Sequence, residues 1–334
     1  MTSAAPLRRI LVTGVGGAPG FDLARSLLRL GLTVIAADAH PLAPGLALPG
    51  VTPRTIPPAT DPCFGPHLLE LCRHLRPEAL ISTVEAELPH LVAMREVLAE
   101  VGVRTWLPTA EAVRVCADKA AFAALLAAHG IPTPRTGLPD QLHDLPEDTG
   151  LVVKPRRGHG AQGVRFCRSR AQARVLCGLV PDPVVQERVA GREWTADCLV
   201  DAQGRASVVP RWRLLVKGGL AMVSTTFHDP EVVALATATL AAVGVVGPCC
   251  VQGFVRDPGT PRVVVTEVNA RFAGGFPAAQ AAGADLVLQT LRGLAGHGVD
   301  HDRLRYQPGI RLTKYVETLL AGPDPDLPTP PPLS

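Results

Sequence analysis

The stretch RVVVTEVNARFAGG, residues 262–275, combines an apolar β-strand pattern with an acid, an amide and an arginine at alternate positions. Side chains alternate between the two faces of a strand, so Glu267, Asn269 and Arg271 are predicted to share one face. The residues predicted to face the core are Val264, Thr266 and Val268. A carboxylate beside an amide oxygen suits Mg²⁺, and an arginine can hold an anion through two parallel hydrogen bonds.

A second strand pattern precedes this stretch. Residues 251–257 (VQGFVRD) are followed by residues 258–261 (PGTP), which are typical of a hairpin turn. Pairing of the two strands around this turn places Gln252 roughly opposite Glu267, so a third oxygen-bearing side chain would join the predicted metal site. An edge strand with solvated polar residues is the alternative interpretation of so short a pattern.

Composition limits the classes of protein to which the chain can belong. A length of 334 residues favours two or three domains, and an apolar share of 47% is enough for sizeable cores. The net charge of +3 and the aromatic share of 4% are too small to indicate a nucleic-acid partner. No apolar run has the length that a membrane span needs, so a membrane partner is not expected.

The cysteines and the N-terminus favour a cytoplasmic protein. The 8 cysteines are scattered without a C-x-x-C pattern, which is typical of reduced core cysteines. Residues 8–17 resemble a signal peptide only weakly, because the apolar stretch after the two arginines is short and interrupted by glycines. Small molecules are the expected partners, and a homodimer is compatible with the sequence. The proline-rich residues 323–334 are predicted to be an unstructured tail.

The first third of the chain has the pattern of a parallel α/β unit. A strand over residues 9–13 leads into the glycine-rich turn GVGGAPG, residues 14–20. A helix over 21–30 and a strand over 32–37, which ends at Asp38, follow. A dinucleotide fingerprint would need a glycine where Pro19 stands, so a nicotinamide site is kept only as an alternative. Further helices are predicted over 66–75 and 87–101, and strands over 79–83 and 103–106.

Two acids follow the strand predicted over residues 79–83. Glu85 and Glu87 would lie at the carboxyl end of that strand, where open α/β sheets bind ligands. They could hold the ammonium group of a substrate. Ordinary acidic residues at a helix N-terminus are the alternative.

The middle of the chain contains a second glycine-rich loop. Asp118 is predicted to cap a helix over residues 119–129, and residues 151–154 form a strand. The loop PRRGHGAQGV, residues 155–164, could bring backbone N–H groups close to phosphate oxygens, with Lys119 and Lys154 adding positive charge. It lacks the G-K-[ST] of a Walker A motif, and a flexible surface turn is the alternative.

The second half of the chain is predicted to be α+β with antiparallel strands. Strands are predicted over 183–189, 192–200, 206–215 and 309–315, and helices over 229–243 and 283–294. Arg211, Arg213 and Lys217 form a basic cluster that could bind an anionic substrate or could line a solvated strand face.

Taken together, these segments resemble the ATP-grasp superfamily, and within it the branch of the carbamoyl-phosphate synthetase large subunit and the pyrrolysine-pathway ligase. The segments are ILVTGVGGAPG, CADKAAFAALLAAHGIPTPRT, LVVKPRRGHGAQGV, PVVQERVAGREWTADCLVD and VVVTEVNARFAGGFP. The resemblance implies a Rossmann-like preceding domain, residues 1–107, that binds no dinucleotide. It also implies an ATP-grasp domain in two parts, residues 108–183 and 184–322.

The resemblance also implies site residues. The residues implied to bind the ATP phosphates are Lys119, Lys154, Gly158, His159, Gly160 and Gly163. The residues implied to lie at the adenine edge are Gln186, Glu187 and Val189, with Glu193 at the ribose. The implied Mg²⁺ ligands are Gln252, Glu267 and Asn269. Arg271 would hold the substrate carboxylate or the acyl phosphate and, with Lys154, act in catalysis. Ala161 departs from the family, in which a small hydroxyl residue is common at this position.

These roles agree with the chemistry of phosphoryl transfer, which needs positioning and charge neutralisation. A carboxylate that approaches a phosphate at 4 Å is repelled by about 4 kcal/mol per pair of charges at an effective dielectric of 20. Mg²⁺, two lysines and an arginine supply the opposing charge. We therefore expect an ATP- and Mg²⁺-dependent carboxylate–amine ligase that forms ADP and phosphate. The alternatives are an NAD(P)-dependent oxidoreductase and a non-catalytic ATP-binding relative.

Overall fold

The computed structural model describes residues 7–147, 150–158, 162–256 and 261–320. The strands are β1 (Arg9–Thr13), β2 (Thr33–Asp38), β3 (Val51–Thr55), β4 (Ala79–Ser82), β5 (Thr136–Gly137), β6 (Leu151–Pro155), β7 (Arg165–Cys167), β8 (Pro183–Glu187), β9 (Arg192–Val200), β10 (Ala206–Lys217), β11 (Leu220–Thr226), β12 (Gly247–Val255), β13 (Val263–Asn269) and β14 (Arg311–Thr313). The α-helices are α1 (Ala18–Arg29), α2 (Phe64–Leu75), α3 (Leu88–Ala93), α4 (Arg95–Glu100), α5 (Ala110–Ala117), α6 (Lys119–Ala128), α7 (Arg170–Cys177), α8 (Pro230–Val243), α9 (Pro277–Ala281) and α10 (Leu286–Leu294). None of the helices in these ranges is both long and apolar enough to cross a bilayer.

The first sheet is parallel and has the strand order β3-β2-β1-β4. Helices cover both faces, because α1 and α10 pack against one side and α2, α3 and α4 pack against the other. The strand–helix alternation of the sequence therefore predicted this unit correctly. Two details differ. The predicted helix over 87–101 is interrupted at Met94, and the predicted strand over 103–106 is reduced to one bridge between Arg104 and Ala79.

The second sheet is small and antiparallel, with the order β5-β8-β6-β7. Its core includes Leu151, Val153 and Val185, on which α7 packs through Ala173. Lys154 lies near the end of β6 and Gln186 near the end of β8. This sheet therefore brings two of the predicted site residues onto neighbouring strands.

The third sheet is antiparallel and has the order β13-β12-β9-β10-β11-β14. One face packs on α5, α6 and α8 around the fully buried side chain of Trp194. The other face is covered at one end only, where Leu199 and Val209 contact the core of the first unit. The uncovered end of this face is available for a site.

A β-bulge changes the predicted orientation of side chains in β13. Gln252 pairs with Glu267, as predicted, but Gly253 pairs with Val265, so Thr266 is the extra residue. The bulge shifts the alternation, so that Val265 and Val268 both lie in the core beside α8. The prediction that Thr266 faces this core was wrong, because Thr266 lines a cleft on the opposite face, and Val264 is buried outside that core.

Candidate functional site

A cleft of about 1000 Å³ opens where the three sheets meet. It gathers most of the predicted site residues. Those that line it are Glu85, Lys119, Lys154, Gly158, Gln186, Glu187, Val189, Glu193, Arg211, Arg213, Gln252, Glu267, Asn269 and Arg271. The strand pairings explain this grouping, because Arg211, Thr195, Gln252 and Glu267 form one row across four neighbouring strands.

Three predicted residues lie outside the lining of this cleft. Glu87 is 5% exposed, and its carboxylate accepts hydrogen bonds from the hydroxyls of Thr13 and Ser82 within the first unit. Its proposed contact with substrate is therefore not supported. Lys217 ends β10 on the surface, and Gly163 packs against Pro155. His159, Gly160 and Ala161 lie outside the described residues.

The hairpin residues form a continuous chain of hydrogen bonds. The Asn269 amide donates from Nδ2 to Oε1 of Glu267 at 3.0 Å, and Arg271 donates from Nη2 to Oδ1 of Asn269 at 3.0 Å. Within the described residues, the Glu267 carboxylate has no further hydrogen-bond partner, so its second oxygen is available to a ligand. A carboxylate and an amide oxygen at one wall of a cleft fit the ligand preference of Mg²⁺.

The side chain of Gln252 is already hydrogen-bonded to an arginine. Its Oε1 accepts a hydrogen bond of 3.0 Å from Nη1 of Arg213, whose Nη2 donates to the carbonyl of Gly219 at 2.7 Å. The Nε of Arg213 also lies 3.4 Å from Oε2 of Glu193. Burial raises the pKa of Glu193, and Arg213 partly offsets this. The predicted metal contact of Gln252 would therefore have to share this oxygen with Arg213.

Lys154 is held by a short relay of side chains. Its Nζ donates to Oε1 of Gln186 at 2.8 Å, and Nε2 of Gln186 donates to Oγ1 of Thr136 at 2.8 Å. The Thr136 hydroxyl donates to the Pro134 carbonyl, so its oxygen must accept from Gln186. This fixes the orientation of the amide. Burial lowers the pKa of Lys154 to about 8, although the nearby Glu267 opposes this shift.

Lys119 is tied to the glycine-rich loop by its backbone and its side chain. Its N–H donates to the Arg156 carbonyl at 3.1 Å, and its Nζ donates to the Gly158 carbonyl at 2.9 Å. Asp118 caps α6 by accepting from the N–H groups of Ala120 and Ala121, and it also accepts from Nε of Arg156 at 2.8 Å. Asp118 thus joins the start of α6 to the loop.

Two contacts at the other end of the cleft complete the site. Arg211 and Asp197 form an ion pair with an Nε–Oδ2 distance of 2.8 Å, and each side chain is 2% exposed. Arg271 Nη2 lies 3.8 Å from Oε2 of Glu85. Burial raises the pKa of Glu85 to about 7, and Arg271 partly opposes this. Asp197 was not among the predicted site residues, although its position four residues after Glu193 on one strand places both on the same face.

The family comparison identifies the segment that holds most of these groups. Residues 116–275 match the family model of the ATP-grasp domain. Residues 116–275 are an ATP-grasp domain. The domain contains both lysines, the glycine-rich loop and the β12–β13 hairpin with Glu267 and Asn269. Glu85 comes from the parallel unit that precedes it.

Solved structures share this fold over most of the chain. One of them is N5-carboxyaminoimidazole synthetase from Staphylococcus aureus, complexed with ADP. The match covers 89% of this chain and 80% of the synthetase chain, with a TM-score of 0.71 and 12% identity. The biotin carboxylase domain of 2-oxoglutarate carboxylase from Hydrogenobacter thermophilus, in complex with MgADP, ADP and bicarbonate, matches 90% and 73%, with a TM-score of 0.69 and 15% identity. L-amino acid ligase from Bacillus licheniformis matches 91% and 78%, with a TM-score of 0.68 and 20% identity. The fold that these structures share with this chain therefore includes the parallel unit as well as the segment matched by the family model.

Proposed function

We propose that this protein is an ATP- and Mg²⁺-dependent carboxylate–amine ligase that activates a small carboxylate, such as an amino acid, as an acyl phosphate. The observation that carries the proposal is the convergence, in one cleft, of Lys119 and Lys154 with the hydrogen-bonded chain of Glu267, Asn269 and Arg271. The ATP-grasp domain and the similarity to structures that contain ADP or MgADP support nucleotide binding here.

ATP would lie between the small sheet and the six-stranded sheet. The backbone of Glu187 and Val189 would meet the adenine edge, and Glu193 would accept from the ribose hydroxyls. Lys119 and Lys154 would contact the phosphates. Glu267 and Asn269 would hold Mg²⁺, which supplies charge neutralisation at the phosphates when it is bound.

The chemistry follows from the charges at the hairpin. Arg271 would hold the substrate carboxylate so that one of its oxygens approaches the γ-phosphorus opposite the bond to ADP. The new P–O bond forms as the bond to ADP breaks. An amine then attacks the acyl carbon, phosphate leaves with the electron pair of the C–O bond, and the proton that the amine loses is taken up by the departing phosphate, so that an amide forms. Glu85, which faces Arg271 across the cleft, would hold the ammonium group of the substrate.

The family branch and the identity of the acceptor are also part of this proposal. The resemblance favours the branch of the carbamoyl-phosphate synthetase large subunit and the pyrrolysine-pathway ligase, and ammonia or a hydroxyl could replace the amine. A dinucleotide site at the first glycine-rich turn is disfavoured by one observation. The Asp38 carboxylate accepts from the N–H of Gly16 at 2.6 Å and from that of His40 at 2.9 Å, so both oxygens are already engaged.

Phosphate release tests the proposal directly. The purified protein is supplied with Mg²⁺-ATP and a panel of amino acids, and we expect ADP and phosphate to form with at least one of them. Lys154→Ala and Glu267→Ala should each abolish this activity, whereas the surface variant Lys217→Ala should keep it. Full activity of either of the first two variants would refute the assigned roles. Quenching or enhancement of NAD(P)H fluorescence on titration would instead favour the oxidoreductase alternative.

A further inference from the structure

The ion pair of Asp197 and Arg211 lies directly beneath the loop that carries Arg271. We infer that Arg211 is a positioning residue, which supports this loop through Gly275. The inference deepens the proposed function and rests on it, because Arg271 is the residue proposed to hold the substrate carboxylate. It adds to the interpretation of Arg211 as an anion-binding residue, whereas the 2% exposure of its side chain contradicts a solvated strand face.

Asp197 holds one edge of the Arg211 guanidinium. Its Nε donates to Oδ2 of Asp197 at 2.8 Å, and its Nη2 lies 3.3 Å from Oδ1 of the same carboxylate. Both side chains are 2% exposed. The two charges compensate each other inside the protein, and the carboxylate fixes the orientation of the guanidinium through its Nε–Nη2 edge.

The flat face of this guanidinium lies against Gly275. A Cβ atom at residue 275 would lie 2.5 Å from Cζ of Arg211 and 2.6 Å from both terminal nitrogens. Asp197 holds the guanidinium in place, so it cannot easily move aside. The close approach therefore requires a glycine at this position.

The neighbouring glycine is confined differently. A Cβ atom at Gly274 would lie 2.7 Å from Cδ1 of Leu220 and 3.7 Å from Cβ of Ala18. A leucine methyl at the end of a flexible side chain can move, whereas the paired guanidinium at Gly275 cannot. Gly274 therefore offers a matched control for a substitution at Gly275.

Arg271 lies at the opposite end of the same loop. Its Nη1 donates to the Phe272 carbonyl at 3.1 Å and contacts Sγ of Cys250 at 3.9 Å. Cys250 in turn pairs with Asp197 on one side and with Asn269 on the other. A displacement of the loop at Gly275 would therefore change the position of Arg271 and uncover the buried Cys250.

A double-mutant cycle with kinetic readouts tests the inference. Gly275→Ala should raise the KM for the carboxylate about tenfold while the Kd of a non-hydrolysable Mg²⁺-ATP analogue changes less than about twofold. Asp197→Ala combined with Arg211→Leu removes the whole pair and should raise the same KM. Adding Gly275→Ala to that background should cost little more, because the guanidinium that it meets is gone. Fully additive effects, or an equal loss of nucleotide affinity, would overturn the inference.

A second measurement needs no turnover. The rate at which a thiol reagent modifies Cys250 is followed by peptide mapping in the wild type, in Gly275→Ala and in Gly274→Ala. We expect faster modification of Cys250 in Gly275→Ala than in the other two proteins. Equal rates in all three would contradict the inference even if the wild type proved inactive with every carboxylate, an outcome that would by itself refute only the proposed function.

Discussion

Lys154 and Gln186, on neighbouring strands of the small sheet, are joined by a 2.8 Å hydrogen bond from Nζ to Oε1. Gln186→Leu would remove this partner and leave the ammonium group unsupported. A hydrogen bond to a charged group contributes about 1.5–3 kcal/mol, so we expect the Kd of a Mg²⁺-ATP analogue to rise about tenfold or more. Calorimetric titration measures this. Thr136→Val, which removes only the group that orients the amide, should have a smaller effect, and an equal effect would contradict the relay.

The pKa of Lys154 predicts how nucleotide affinity depends on pH. Burial lowers this pKa to about 8, so the nucleotide-free protein loses the positive charge as pH rises through that value. Nucleotide binding needs the protonated form, and the Kd should therefore rise about tenfold per pH unit above the pKa. Titrations from about pH 7 to about pH 9.5 should show a Kd that is constant below the pKa and rises above it. Lys154→Met should bind weakly with no such dependence, and a rise of equal slope in this variant would assign the effect to another group.

Asp118 joins α6 to the glycine-rich loop, so its loss should affect stability and nucleotide affinity together. Asp118→Ala removes a helix cap, at a cost of about 1–2 kcal/mol in the free energy of unfolding, and leaves Arg156 without its close partner. Displacement of Lys119 should also weaken nucleotide binding. The control is Thr109→Ala, which removes the cap of α5 at a cost of about 1 kcal/mol and should leave the nucleotide Kd unchanged. If both variants bind nucleotide like the wild type, the coupling is absent.

The two buried glutamates predict the pH dependence of stability. Burial raises the pKa of Glu85 and of Glu87 to about 7, above the value of 4.5 for an exposed glutamate. Each group therefore favours the folded state fully below pH 4.5, and this contribution is lost as pH rises through 7. The loss at Glu87 is on the order of 3 kcal/mol, because one pKa unit corresponds to about 1.4 kcal/mol.

Urea denaturation at acidic and at mildly basic pH measures this loss. The free energy of unfolding of the wild type should fall between the two conditions. In Glu87→Gln the fall should be smaller, and in the double variant with Glu85→Gln it should be smaller still. An unchanged fall in the double variant would show that other groups cause it.

The central hairpin shows how far the sequence alone could lead. The turn residues and the strand periodicity correctly predicted that Gln252 pairs with Glu267, and the predicted bounds of β1 and β9 agree with the structure. The bulge at Thr266 was not predictable, because a bulge depends on which partner strand must keep its register. The packing of Trp194 against Gly253, where a Cβ would lie 2.7 Å from the indole ring, is a contact between strands far apart in sequence.

Other elements could not be predicted because their sequences lack a clear hydrophobic periodicity. The edge strand β3 contains Pro53, which disfavours a strand assignment although an edge position tolerates it. The break at Met94 between α3 and α4 carries no proline or glycine. Among the site residues, the role of Asp197 could not be derived without the sheet order that brings β10 beside β9. Burial of Glu87 depended on tertiary contacts in the same way.

The extra residue in β13 also affects how related chains should be aligned with this one. Residues 267–271 follow the bulge, so the spacing from Glu267 to Arg271 can be compared directly between sequences. The valines before Thr266 are displaced by one position relative to any hairpin without a bulge. A relative that lacks this residue could therefore keep every functional group, although an ungapped alignment would wrongly suggest that its acid points into the protein interior.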